Sequence, residues 1–200
     1  MNRRTLGCLF ELLETLLLTL IVFLVVQLFA AQPYQVQQES MENTLMPNQY
    51  VLVDKLSPRF DPYHRGDIIV FNPPAAWTHG PTTTPYIKRV IGIGGDTVNI
   101  QGGYVLVNGV QINEPYVFNG QPTQVTGSGS KSWTLSSTQL FVMGDHRQAS
   151  QDSRDFGPID KSEVIGRAWI RYWPLNQFGL IPQVKLTAAQ SASPASSPAP

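Results

Sequence analysis

The spacing of apolar positions divides the chain in two. From Leu9 to Ala31, LFELLETLLLTLIVFLVVQLFAA, apolar residues are nearly continuous. As a helix this stretch would run roughly 35 Å against a hydrocarbon core of about 30 Å, which predicts one N-terminal transmembrane helix. Glu11 and Glu14 push its dry part toward Thr15 and stay hydrated at the interface. Arg3 and Arg4 precede the segment and the first lysine after it is Lys55, so the positive-inside rule puts the N-terminus in the cytoplasm and the rest outside. A cleaved secretory signal is the alternative. Its apolar stretch runs only about 7 to 15 residues before a small-x-small site, and here Leu28 and Phe29 stand where small residues would be needed for a cut after Ala30 or Ala31.

Beyond Ala31 the period changes. Tyr50–Asp54, Asp67–Phe71, Tyr86–Ile93, Leu140–Met143 and Val164–Trp173 are short runs rich in β-branched and aromatic residues, separated by Pro, Gly, Asn and Asp. They predict a mainly β domain built from antiparallel sheet over residues 32–186, behind a short cytoplasmic stretch (1–8) and the anchor (9–31). Within Tyr104–Ile112, Asn108-Gly109 supplies the positive φ that a two-residue hairpin turn demands. The Pro/Thr/Gly-rich segments 72–85 and 119–130 read as exposed loops, and residues 187–200, TAAQSASPASSPAP, as a disordered tail. Trp169 and Trp173 are expected in the core, with lipid contact for them or for Trp77 as the alternative.

Composition narrows the chemistry. With 14 basic and 14 acidic residues and no basic patch, the chain lacks the electrostatic footprint of a nucleic-acid binder. Its single cysteine, Cys8, excludes an intrachain disulfide and a zinc site built on paired cysteines. HExxH and P-loop patterns are missing, and His64, His79 and His146 are scattered, so neither a metal nor another cofactor is expected.

Three stretches carry candidate chemistry. Ser40-Met41, nine residues past the apolar segment, is either a surface hydroxyl or a nucleophile tethered within about 30 Å of a membrane surface. Lys88 shares a strand face with Tyr86 and Val90, opposite Ile87, Arg89 and Ile91. Turned inward, its amine is desolvated, its pKa falls and it becomes a general base; turned outward, it is a solvated cation. GDHRQASQDSR, from Gly144 to Arg154, follows an apolar strand, and its charges can fix a loop against the core or form a solvated turn.

These motifs occur in one order: Ser40-Met41 after an apolar span; Gly66-Asp67-Ile68-Ile69-Val70-Phe71; Tyr86-Ile87-Lys88-Arg89-Val90-Ile91-Gly92 with Gly95-Asp96; and Gly144-Asp145-x-Arg147-x-x-Ser150-x-Asp152-Ser153-Arg154. In that order, over residues 38–170, the chain resembles bacterial type I signal peptidases. The resemblance implies a membrane-anchored serine endopeptidase on a β fold related to that of Ser/Lys self-cleaving regulators, with preproteins and the lipid bilayer as partners.

The resemblance makes Ser40 the nucleophile, Lys88 the general base and Ser150 a hydrogen-bonding partner that orients Lys88. Asp145, Arg147, Asp152 and Arg154 would hold the surrounding loop. Val36, Met41, Leu45, Tyr86 and Ile87 would shape two shallow subsites for alanine-sized side chains at the first and third positions before the cut. The oxyanion would meet the Ser40 backbone N–H. A second donor is left to Gln38, where many relatives carry serine or glycine. The competing readings are a silent membrane-held β-rich binding module, in which Ser40 and Lys88 merely pack, and a self-cleaving regulator, which the apolar N-terminus disfavours.

Overall fold

The computed structural model describes residues 3–25, 30–78, 84–125 and 131–187. A helix, α1 (Arg3–Val25), is followed by twelve strands. These are β1 (Ala31–Gln35), β2 (Tyr50–Asp54), β3 (Ile68–Phe71), β4 (Tyr86–Gly92), β5 (Thr97–Gln101), β6 (Tyr104–Val107), β7 (Val110–Gln111), β8 (Ser132–Thr134), β9 (Gln139–Met143), β10 (Ile159–Asp160), β11 (Val164–Trp173) and β12 (Gly179–Leu180), with a single-turn helix α2 (Ser153–Phe156) between β9 and β10. The larger sheet has the order β1-β2-β11-β3-β4-β9-β10, with β12 added to β11, and the smaller has the order β7-β6-β5-β8. Every pairing is antiparallel.

All five β-branched runs form strands within one residue of their expected limits. Asn108 and Gly109 take φ of 54° and 79° at the β6–β7 hairpin, the left-handed pair that this turn needs. β1 went unpredicted because AQPYQ has no apolar alternation and only one aromatic residue; its strand state comes from pairing with β2, Ala31 opposite Asp54 and Gln35 opposite Tyr50. Ala31 therefore belongs to the β domain, and the expected span from Leu9 is helical as far as Val25, with 26–29 outside the described residues. Among the described residues, no helix is long and apolar enough to cross a membrane.

The loop 72–85 is less open than its composition suggests. Trp77 is buried in it, edge-on to Phe71 and stacked on Phe156. Trp169 and Trp173, expected in the core, are 48% and 50% exposed and share the β11–β12 region with exposed Leu175, Phe178 and Leu180. Of the tail, only Thr187 is described, and its carbonyl accepts from Asn113 N–H.

Apolar packing lies on both sides of β4. Tyr86 and Val90 pack with Ile69, Phe71, Leu140 and Val142, whereas Ile91 packs with Val98, Val107, Phe141 and Met143 from the smaller sheet and β9. Burying each such side chain stabilises the fold by about 1.5–3 kcal/mol. The consequence for function is that β4, covered on both faces, also carries Lys88 and Arg89 into the interior.

Candidate active site

Ser40 sits in a one-turn 3-10 helix, Glu39–Met41, between β1 and β2. The turn is held from below by Met41 and Leu45, both fully buried, with Leu45 N–H donating to Met41 O at 2.8 Å. From the side, His146 N–H donates to Ser40 O at 3.1 Å, and the His146 ring meets Glu42 at 2.9 Å. The Ser40 hydroxyl is therefore on a constrained turn, with the residue only 2% exposed.

Lys88 reaches the same point from β4. Its Nζ donates to Ser40 Oγ at 2.7 Å, and the residue is 2% exposed. Burial pushes the amine down from 10.5 to about 8, with the nearby Asp152 and Asp145 carboxylates opposing that shift and Arg154 adding to it. A lysine there loses its proton at moderate pH, after which the same short contact lets Ser40 donate to nitrogen. The strand alternation read from the sequence holds: Lys88 Nζ lies 5.6 Å from the Tyr86 ring centre on one face, and the Arg89 guanidinium lies 4.1 Å from Tyr116 on the other.

The sequence places Arg89 on the strand face opposite Lys88 and gives it no further role. Among the described residues it is the largest fully buried side chain. Its Nε and Nη2 donate to Asp145 at 2.8 and 2.7 Å, Nη1 to Gly66 O at 2.8 Å and Nη2 to Thr44 Oγ1 at 3.1 Å. Thr44 in turn donates to Asp145 Oδ2 at 2.5 Å. This network joins the Ser40 turn, β4 and the loop after β9, and nothing in the spacing of residues 44, 89 and 145 announces it.

The rest of that loop is pinned with comparable density. Asp152 accepts from Gly144 N–H at 3.0 Å and from Arg154 Nε at 2.8 Å. Burial pushes its carboxyl up, but Arg154, Ser150 and Gly144 together hold it below the usual range. Arg154 also donates to the Arg147 and Ser150 carbonyls at 2.7 and 3.1 Å. Arg147 donates to Gly144 O and pairs with Glu114 at 2.5 Å. Gly144 is hemmed in: a Cβ there would stand 2.4 Å from both Ser150 Oγ and Ser40 O. Only glycine lets the loop and the Ser40 turn approach so closely.

Ser150 departs from its expected bonding. Its hydroxyl donates to Asp152 Oδ2 at 2.6 Å, and no hydrogen bond from it to Lys88 is found among the described residues. A buried carboxylate beside the hydroxyl is the stronger acceptor and captures it.

A cleft of about 180 Å³ opens at Ser40, walled by Pro33, Tyr34, Gln38, Pro85, Tyr86 and Ile87. Of the residues expected to shape subsites, Tyr86 and Ile87 line it, whereas Val36, Met41 and Leu45 do not. Those three are core residues on which Tyr34 and Ile87 rest. Short apolar side chains near a nucleophile cannot be divided into lining and support without the backbone. Gln38, expected as an oxyanion donor, is exposed at the cleft beside Ser40.

The model of the signal peptidase family, peptidase S26, matches residues 9–173. The chain belongs to this family. A signal peptidase I from Leptolyngbya laminosa is 37% identical over 173 residues, covering 86% of this chain and 83% of its own. A probable signal peptidase I-2 from Synechocystis sp. is 32% identical over 194 residues, covering 94% and 87%. The crystal structure of a signal peptidase I from Enterococcus faecalis V583 is 32% identical and covers 52% of this chain and 95% of its own, with a TM-score of 0.42. As a signal peptidase family member, the chain is a serine endopeptidase that acts on preproteins carrying signal peptides.

Proposed function

We propose that Ser40 and Lys88 are the dyad that performs this hydrolysis. The observation that carries the reading is the 2.7 Å contact between a buried amine and a buried hydroxyl. Neutral Lys88 takes the Ser40 proton as Oγ attacks the scissile carbonyl, and the resulting ammonium returns it to the departing amine. The acyl group stays on Ser40 until water, deprotonated by the same lysine, releases it. The Ser40 backbone N–H meets the developing oxyanion, and Gln38, at the cleft wall, supplies the second donor; one such donor contributes about 2.7–4 kcal/mol.

Ser150 acts through Asp152, and with Asp145, Arg147, Asp152 and Arg154 it keeps the loop in register with β4. The narrow cleft between Tyr34, Tyr86 and Ile87 suits alanine-sized side chains before the cut and excludes larger ones by overlap.

The same reading makes the apolar segment from residue 9 a membrane anchor that ends before Ala31, with residues 1–8 cytoplasmic, 31–186 the extracytoplasmic peptidase domain and 187–200 a tail. Its support is the exposed apolar surface of α1: Phe10, Leu12, Leu13, Leu16 and Leu17 are all at least 58% exposed, a surface that water disfavours and lipid accepts. Exposed Trp169, Trp173, Leu175, Phe178 and Leu180 give the domain an apolar rim of the kind that rests on a bilayer.

The test uses the full chain in lipid vesicles with a preprotein that carries Ala-x-Ala before its cut. Wild type should cleave it, Ser40→Ala and Lys88→Ala should fall by at least about 100-fold, and all three chains should stay with the vesicles through alkaline carbonate washing. Retained turnover in either variant would remove that residue from the dyad; loss of all three from the membrane would remove the anchor.

A further inference from the structure

A second cleft adjoins the first. Gln148, Ser150, Gln151 and Asp155 line it, and Gln38 and Tyr86 belong to the walls of both. The two clefts therefore meet at these two side chains, and Ser40 lines the first. They differ in character: the first is about 180 Å³ with Pro33, Pro85 and Ile87 in its walls, whereas the second is about 410 Å³ and, apart from Tyr86 and Ala149, is lined by polar side chains, Gln38, Gln148, Ser150, Gln151 and Asp155. The wider cleft cannot select by close fit, so whatever it binds is held by hydrogen bonds.

The glutamines stand out within their own loop. Arg147, Asp152 and Arg154 are locked by several hydrogen bonds each. By contrast Gln148 and Gln151 are exposed, and among the described residues neither side-chain amide takes part in a hydrogen bond. Each primary amide offers donors and an acceptor, the complement of a peptide backbone in extended form. The one carboxylate at the rim, Asp155, accepts from Asp152 N–H at 3.2 Å.

Cleavage at Ser40 splits the substrate into an acyl half that stays on the hydroxyl and an amine half that leaves. Ser40 lines the narrower cleft, the side assigned above to the small side chains before the cut; the amine half then runs the other way, toward Ser150. Resting on the dyad assignment above, we propose that this second cleft binds the first residues of the mature protein, with Gln148 and Gln151 as positioning residues that hydrogen-bond its main chain. Binding energy gathered there would hold the scissile amide against Ser40 and appear in kcat more than in KM.

The experiment compares peptides that are identical through Ala-x-Ala and carry one, two or four residues after the cut. In wild type, kcat/KM should rise about tenfold from the shortest to the longest, the scale of one or two backbone hydrogen bonds, mainly through kcat. In Gln148→Ala/Gln151→Ala the rise should shrink to about twofold or less. Gln148→Glu/Gln151→Glu, which keeps acceptors but loses the amide donors, should fall between the two. An unchanged length dependence in the alanine variant, or a flat one in wild type, would overturn the proposal. Because the readout is a ratio between substrates, a general loss of activity does not mimic the effect. Ser40→Ala separates the two readings: turnover in that variant defeats the dyad, whereas an inactive Ser40→Ala beside an unaltered glutamine variant defeats only the second cleft.

Discussion

Lys88→Met is expected to reduce turnover by about 10³-fold or more and to yield a protein more stable than wild type at neutral pH. The folded-state pKa of Lys88 is about 8 against an ordinary 10.5, chiefly through burial. Below pH 8 the amine is protonated in both states, and the folded state bears the cost of keeping a cation out of water. A shift of that size corresponds to about 3 kcal/mol. Between pH 8 and 10.5 the unfolded chain binds more protons than the folded one, so wild-type stability rises with pH across that window. Methionine fills similar space without a charge, so its advantage should be largest below pH 8 and fade toward 10.5. Urea unfolding at pH 6.5, 8 and 10 measures this. A Lys88→Met protein less stable than wild type at pH 6.5 would mean that the amine supports the fold instead of straining it.

The second large effect is expected at Asp145. Arg89 and Asp145 are both fully buried, and their side chains meet at 2.7 Å. Asp145→Asn leaves a guanidinium without its counter-charge in the interior and should cost about 3–5 kcal/mol, seen as a fall in Tm of roughly 10 °C for a chain of this size. Activity should drop as well, since Thr44 and the nucleophile turn are tied to the same carboxylate. Replacing both partners, Arg89→Met with Asp145→Leu, should recover much of the stability, because an apolar pair carries no desolvation penalty. It should not recover turnover, because Thr44 has lost its tether. Recovery of both would show that the pair serves the fold alone, and that result is read by calorimetry beside the cleavage assay.

The two variants probe what the sequence revealed and what it hid. Runs such as YVLVD and VIGRAWIRYW declared their strands because alternating or continuous β-branched positions have few other uses. AQPYQ did not, since β1 is made by its partner and not by its own residues. The order of the motifs marked Ser40 and Lys88 as candidates, and the inward turn of Lys88 was one of two outcomes that strand alternation allowed. The partner of Arg89 lies 56 residues away in the chain, a distance at which pairing leaves no local trace. The division of Val36, Met41 and Leu45 from Tyr86 and Ile87 depended on which side of the turn faces water. Ser150 likewise had two acceptors within its reach in principle, and only the packed loop decides for Asp152. Side chains fixed by chain-local geometry could be read in advance; those fixed by competition between distant partners could not.

The central claim is that the amine beside Ser40 is uncharged when the enzyme works. Direct titration of Lys88 by nitrogen-15 NMR, in Ser40→Ala so that no turnover intervenes, tests it most closely. The ammonium should lose its proton at about 8, and kcat/KM of the wild type should climb through the same pH. A Lys88 that titrates at its ordinary value of 10.5, with wild-type activity already at its plateau at pH 7, would contradict the account.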